Sequence, residues 1–591
     1  MGGEQRVTAR TRVPAGRRWL GIGGADLLVI EGYVLAAVLL YAGLWRDLDG
    51  GYLVGSMQDQ NLFEWMFAAQ AHAVARGENP LFSDLQNAPL GVNLMANTGL
   101  PALAVPLTPV TLAFGSTATW TVVLTGGLAG TATAWYWLFS RHVVRSPVAA
   151  AVGGAFCAFA PAVISHAKAH PNFAATFLLP VIAIRLIRLP EARRPVLHGV
   201  GLGVLGALQV LIGEEILLIG VLAVAPYAIW FGLTRRRMPR QVVVGVATAI
   251  GVSTALVAYP LWLQFAGPQS YHAIEHGPKG NALAAFVGYP SQSLGGLVTG
   301  GPGTLAMNGT EENAFFGWGL VTLVVVLAVW LRAELPARIA TAACAVGAVL
   351  SLGPVLSVDG EPTGWPAPWA LLADLPLLES VLESRLALAC VPAVGCLLAV
   401  ATQRVLDAPP DRRFGTASLR AVWAGALVVA LLPIAPLPFD TVTRAPTPEF
   451  YAGGEWARWV GDGGTIVPVP LPEPLRADPL RWQIDAGMGF AIPQGYFVGP
   501  AGEERLGSYG APKRPSSLLL DGVAATGEVP PISDADRAAM VDDLRFWRAD
   551  AVVLTDGPRQ EELHTAVSAL LGPAHRAVDA WVWDVRPITG S

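Results

Sequence analysis

The stretch LLVIEGYVLAAVLLYAGL, Leu27–Leu44, decides the fold. Its 18 residues, at about 1.5 Å each, reach about 27 Å as a helix, close to the hydrocarbon thickness of a bilayer. Five arginines precede it (Arg6, Arg10, Arg12, Arg17 and Arg18) and it lacks a small-residue cleavage site, so it reads as a retained first span. Lipid offers the backbone no hydrogen-bond partners, so a spanning run of this kind is helical.

The rest of the chain agrees with a membrane protein. Of its 591 residues, 53% are hydrophobic and only 14% are charged. The mean hydropathy is +0.47, more apolar than a soluble core requires. Eleven runs qualify as spans, near 26–45, 117–140, 147–164, 173–189, 197–213, 214–231, 241–262, 315–331, 338–356, 386–403 and 421–437. The expected fold is therefore mainly α, a polytopic helical membrane domain. Arg and Lys then sort by loop, 21 on one side and 5 (Arg46, Arg76, Lys168, Lys279, Arg385) on the other. The positive-inside rule reads this as a cytoplasmic N-terminus and an outward C-terminus. Leu100–Phe114 carries Pro101, Pro106 and Pro109 and is short, so it is placed as a juxtamembrane helix at the outer face. An even number of spans is the competing count.

This topology predicts a cytoplasmic segment at 1–25, a transmembrane domain at 26–437 and a small soluble extracytoplasmic α/β domain at 438–591. Long outer loops fall at 46–116, 263–314 and 357–385. Asn61–Ala75 has Leu62, Trp65, Met66 and Ala69 on one face and is expected to lie in the interface. After Pro438, Thr465–Pro472, Ala549–Thr555 and Ala580–Val585 read as strands, and Asp534–Trp547 and Pro558–Leu571 as helices. All four cysteines fall in apolar runs and read as small core residues. A net charge of −5, spread along the chain, does not indicate nucleic acid, and no phosphate-cradling Gly-rich loop with Lys-Ser/Thr occurs.

Ionisable groups beside hydrocarbon are costly and mark sites, and several gather at the predicted outer edge. SHAKAHPN (Ser165–Asn172) offers His166, Lys168 and His170 as phosphate ligands, unless they only solvate a hairpin. A zinc site at His166 and His170 needs helical spacing and a further ligand, and Pro171 follows at once. In MQDQNLFEWMF (Met57–Phe67), Asp59 is the candidate general base, with Glu64 second; helix capping is the alternative for Asp59. Glu214 and Glu215 at a turn can contact a sugar or pair with Lys168, Lys279 or Arg385. Glu311, Glu312 and Asn313 read as caps of the following span. Arg385 can bind a lipid phosphate bidentately or snorkel to headgroups.

QDQNLFEW, then GENPLF (Gly77–Phe82), then PLGVNLM (Pro89–Met95) and a Pro-rich helix resemble the first outer loop of GT-C superfamily glycosyltransferases. SHAKAHPNFAATFLLP and LPLLESVLESRLAL (Leu375–Leu388) are similar to segments of bacterial membrane proteins near that superfamily, and the resemblance covers about residues 20–440. It implies transfer of a sugar from a polyprenyl-phosphate donor to a glycan, lipid or protein acceptor at the outer face, usually with inversion. It gives only Asp59 a well-defined role, that of catalytic base; Glu64 ranks second. Residue chemistry fits Lys168, His170, Arg385 and His166 to the donor phosphate, and Glu214, Glu215 and Lys279 to sugar or acceptor. Many members carry a paired acidic motif where QDQ has a single acid, so no cofactor is firmly expected and a divalent metal stays open; the partners are donor, acceptor and membrane lipid. Composition rich in Ala, Gly, Val and Arg suits a GC-rich, actinobacterial-type genome and a bacterial plasma membrane. The competing functions are a transporter or flippase of lipid-linked glycans, disfavoured by nearly uncharged mid-span segments, and a non-catalytic envelope assembly protein.

Overall fold

A computed structural model describes residues 21–590, apart from 57, 235–237, 278, 377, 410–415 and 462. The five N-terminal arginines, Arg235 to Arg237, Arg412 and Arg413 thus lie outside the described residues.

Helices dominate, and each of the eleven apolar runs holds one. Among the described residues, four helices are long and apolar enough to cross a membrane: Ser116–His142, Glu214–Leu233, Arg240–Ala266 and Glu383–Leu406. Five more are apolar but of 10 to 17 residues, among them Pro147–Phe159 and Leu335–Leu350. Burial separates centre from rim. Ser116–His142 and Glu383–Leu406 are mostly enclosed, whereas Arg240–Ala266 turns Val243, Ile250 and Leu256 outward, the apolar exposure expected of a helix against lipid.

Small residues let the central helices approach closely. A Cβ on Gly153 would stand 2.6 Å from the Gly395 carbonyl oxygen, so this crossing requires glycine. Asp26, at the start of the first helix, meets Arg141 at 3.0 Å with both side chains almost fully enclosed, and Tyr136 donates to the same carboxylate. Deleting one partner of such a pair leaves a buried charge, so its role is to fix helix packing. Leu100–Phe114 forms two short helices, Pro101–Ala104 and Thr108–Phe114, divided where Pro106 removes a backbone donor.

The helix Asp59–Arg76 departs from the expectation of an interfacial helix. Twelve of its 18 residues are buried, on more than one face. Phe63 stacks on Trp120 of the central helix at 5.8 Å, and the Trp65 indole N–H donates to Gln483 at 2.6 Å. The C-terminal segment covers the face that lipid was expected to meet.

That segment holds a four-stranded sheet in the order His575–Ala577, Ala580–Asp584, Ala549–Thr555, Thr465–Val469. Only the last two strands are parallel. All seven residues of Ala549–Thr555 are buried, as in a strand with both faces covered. The helices Pro515–Thr526, Asp534–Trp547 and Gln560–Leu571 flank the sheet, and Ser533 caps the second with a capping box. Two features bind this part to the helical body. Thr441–Thr443 pairs antiparallel with Gly51–Leu53, and one apolar core continues from Tyr41 and Trp65 to Phe450, Tyr451 and Phe490.

Candidate functional site

The geometry begins at the first turn of the helix Asp59–Arg76. Gln58 adopts a left-handed conformation (φ 74°), and the chain then enters the helix with Asp59 as its first residue. One Asp59 carboxylate oxygen accepts a hydrogen bond from the Tyr496 hydroxyl, and the other lies 3.5 Å from His170 Nε2. Burial, and then the Asp59 charge, push the Tyr496 hydroxyl far above its usual range, so it remains a donor.

His170 stands at the end of a tight turn. The helix Pro161–His166 stops, the backbone N–H groups of Ala169 and His170 fold back onto the His166 carbonyl, and Pro171 opens another short helix. The turn brings the two imidazoles together, Nδ1 to Nδ1 at 2.8 Å, without a continuous helix. His166 is enclosed, stacked on Phe173 at 4.2 Å, with Nε2 2.7 Å from Asn313 Oδ1. Burial pushes its imidazole down to about 3, so it is neutral.

Glu311 joins the imidazoles to Arg385. Its oxygens lie 3.9 Å from His166 Nε2 and 3.8 Å from His170 Nδ1, and Arg385 Nε donates to both carboxylate oxygens at 3.1 Å. Burial would raise the Glu311 carboxyl, but the Arg385 charge and its hydrogen bonds hold it well below the usual carboxylate range. A second Arg385 arm donates to Glu215 at 2.7 Å, and the guanidinium lies 4.9 Å over the Phe173 ring.

Phe173 also lines an apolar cavity of about 390 Å³ between helices, with Val163, Ile216, Leu217, Leu388 and Val391. The ionic cluster therefore meets an apolar chamber through Phe173, and His170, Arg385 and Glu215 keep partial exposure.

The other predicted residues fall elsewhere. Lys168 is buried and hydrogen-bonds to none of the described residues; burial lowers its ammonium, with Glu312 the charge that opposes this. It points toward the backbone of Gly309 and Gly55, beside the cluster. Glu64, fully enclosed, faces away from Asp59: Gln60 donates to it at 2.7 Å, Arg444 at 2.5 Å, and Arg481 approaches to 3.6 Å. Glu214 accepts from Gln264 at 2.9 Å, and the exposed Lys279 donates its backbone N–H to Glu383 at 3.2 Å.

Tyr496, Asn313 and Glu311 are members of this cluster that their sequence context does not announce. Glu311 and Asn313 do not cap the next helix, which begins at Gly317. Instead Asn313 ties Glu311 to Ser384. Two imidazoles and a carboxylate are ligands that divalent metals accept, and the donor atoms of His166, His170 and Glu311 lie within 4.8 Å of one another.

Comparison with known proteins gives a fold and a family. The structure of the arabinofuranosyltransferase AftD from Mycobacteria is similar over 95% of this chain, at 16% identity and a TM-score of 0.53. This chain spans only 40% of AftD's length. The oligosaccharyltransferase AglB of Archaeoglobus fulgidus is more remote. Its apo form matches at 11% identity and a TM-score of 0.48, over 92% of this chain and 71% of AglB. A form with an inhibitory peptide and a dolichol-phosphate matches at 13% and 0.46, over 90% and 69%. The AftD likeness shows a shared fold. No curated protein matches the sequence. A family profile matches residues 29–381, more than half of the chain, which therefore belongs to the family described as Domain of unknown function (DUF6311).

Proposed function

We propose that the chain transfers a sugar from a polyprenyl-phosphate donor to a hydroxyl of a cell-envelope glycan, lipid or protein. On this reading about eleven helices span a bacterial plasma membrane, the cluster lies at the outer face, and residues 438–591 form the extracytoplasmic part. One observation carries the proposal: Arg385 stands over the Phe173 ring with His170 beside it, and Phe173 also lines the apolar cavity. A lipid-linked phosphate needs such a junction, with cationic donors for its head and a dry channel for its tail.

Asp59 takes the proton of the acceptor hydroxyl, whose oxygen attacks the anomeric carbon as the carbon–phosphate oxygen bond breaks. Attack from the face opposite the leaving phosphate inverts the configuration. Arg385, His170 and Lys168 stabilise the charge gathering on the phosphate, and Glu215 and Glu214 are placed to orient sugar hydroxyls. Electrostatics adds a requirement. Asp59, Glu215, Glu311 and Glu312 outnumber Arg385 and Lys168 while the buried His166 is neutral, so a phosphate entering here gains from one more cation. His166, His170 and Glu311 are the residues that would hold a divalent ion, which would supply that charge.

Purified protein incubated with radiolabelled polyprenyl-phosphate sugars and envelope acceptors tests the reading. Transfer that depends on Asp59 is expected, and a chelator should lower it until Mg2+, Mn2+ or Zn2+ is returned. Donor binding and flipping without transfer would favour a flippase instead.

A further inference from the structure

The far end of the helix Asp59–Arg76 borders a second, larger cavity of about 610 Å³. One wall carries His72 on the helix with Asn79 and Asp84 from the loop after it; the other carries Tyr259 and Trp262 at the end of Arg240–Ala266. The C-terminal segment closes a third side with Met488. We infer that this cleft is a binding site for a neutral carbohydrate, separate from the ionic cluster.

Three observations point to that ligand. The Tyr259 and Trp262 rings stack at 5.9 Å and 25°, and each is about half exposed, so they present a flat apolar surface to the cleft. The C–H face of a sugar ring packs on such a platform, and its hydroxyls need both donors and acceptors in the same plane of reach. Asn79, Ser83, Asp84 and His72 supply both kinds. Charge then separates a sugar from a phospholipid headgroup: Arg76 is paired with Glu78 at 2.7 Å, and Asp84 adds a negative charge that repels phosphate.

The walls are also held together. Asn79 donates to the Tyr259 hydroxyl at 2.8 Å, across the cleft edge. The buried Asn93 amide donates to the carbonyls of Leu263 and Pro268 at 2.6 and 3.0 Å, fixing the end of the aromatic helix against the loop. Its volume lies within the usual range for small-molecule sites, about 300–1,000 Å³. An aromatic pair at the end of an apolar helix also suits an interfacial belt. A belt gives no reason for the amide bridge to Tyr259 or for Asp84.

Ala69 to Arg76 lie ten to seventeen residues along the helix from Asp59, about 15–25 Å away. Loss of the cleft should therefore leave the Asp59 cluster intact, so this inference and the transfer reading fail separately. The test is an array of short oligosaccharides of mannose, galactose, glucose or arabinose, each presented free and as a lipid conjugate. It is probed with the full-length protein in detergent. At least one sugar should retain the wild type and Asp59→Asn alike. Trp262→Ala and Asp84→Asn should each weaken retention about tenfold, while Trp262→Phe, which keeps an aromatic face, should retain most of it. Sugar-dependent retention on both presentations identifies a glycan ligand, and on the conjugates alone a glycolipid head. Retention of no sugar, retention of lipid whatever its sugar, or binding lost in Asp59→Asn but untouched by Trp262→Ala would overturn the proposal.

Discussion

Asp59 and Glu64 lie five residues apart on one helix, and their surroundings have little in common. Glu64 is fully buried and sealed between Gln60, Arg444 and Arg481. Asp59 keeps partial exposure, meets His170 and Tyr496, and through Glu311 and Arg385 borders an apolar chamber. A buried charge network thus marks two different things here. Around Glu64 it clasps the C-terminal segment to the helical body; around Asp59 it leaves reactive groups facing a space.

The sharpest break in that comparison is in turnover. Asp59→Asn should lower transfer by about 10²–10⁴ with folding unchanged, the usual worth of a general base. Glu64→Gln should instead lower the melting temperature while the folded fraction keeps most of its activity. A Glu64 variant that folds normally and fails to transfer would move it into the site.

Breaking the clasp from its other side tests the same contrast. Arg444→Ala leaves Glu64 buried beside a single arginine and should cost about 3–5 kcal/mol of stability. Proteolysis should then detach the region from about 441 onward first. Arg385→Ala should show the reverse emphasis, with donor-lipid binding falling by more than stability, because Arg385 is partly exposed and Glu311 keeps its imidazole neighbours. Unchanged donor affinity in that variant would reassign Arg385 to structure.

Smaller effects are expected at Tyr496. Removing its hydroxyl costs one hydrogen bond, about 0.5–1.5 kcal/mol. Tyr496→Phe also frees one Asp59 oxygen and should slow transfer a few-fold while the fold is kept. A loss of stability with the transfer rate of the folded fraction unchanged would make Tyr496 a packing residue only.

The parts of this architecture written in local pattern were legible. Apolar runs of membrane length became helices, and the strands at Thr465, Ala549 and Ala580 formed one sheet. The nearness of Asp59, His170 and Arg385 was inferred only by assigning them to one membrane face, and tertiary packing joins them through Glu311. Glu311 itself read as a helix cap because an acid before an apolar run usually is one. Its actual partner is 74 positions away. Tyr496 meets Asp59 across 437 positions, and its own neighbours Gln494 and Gly495 give no sign of it. The amphipathic pattern of Asn61–Ala75 predicted lipid contact, because periodicity reports that a face is apolar and not what covers it.

The most direct measurement compares wild type and Asp59→Asn, both purified and equally folded, for incorporation of label from polyprenyl-phosphate sugars into envelope acceptors. Incorporation by the wild type and none above background by Asp59→Asn is the predicted result. Equal incorporation by both proteins, or none by the wild type with any donor while it still binds them, would contradict the assignment of the Asp59, His170 and Arg385 cluster as a transfer site.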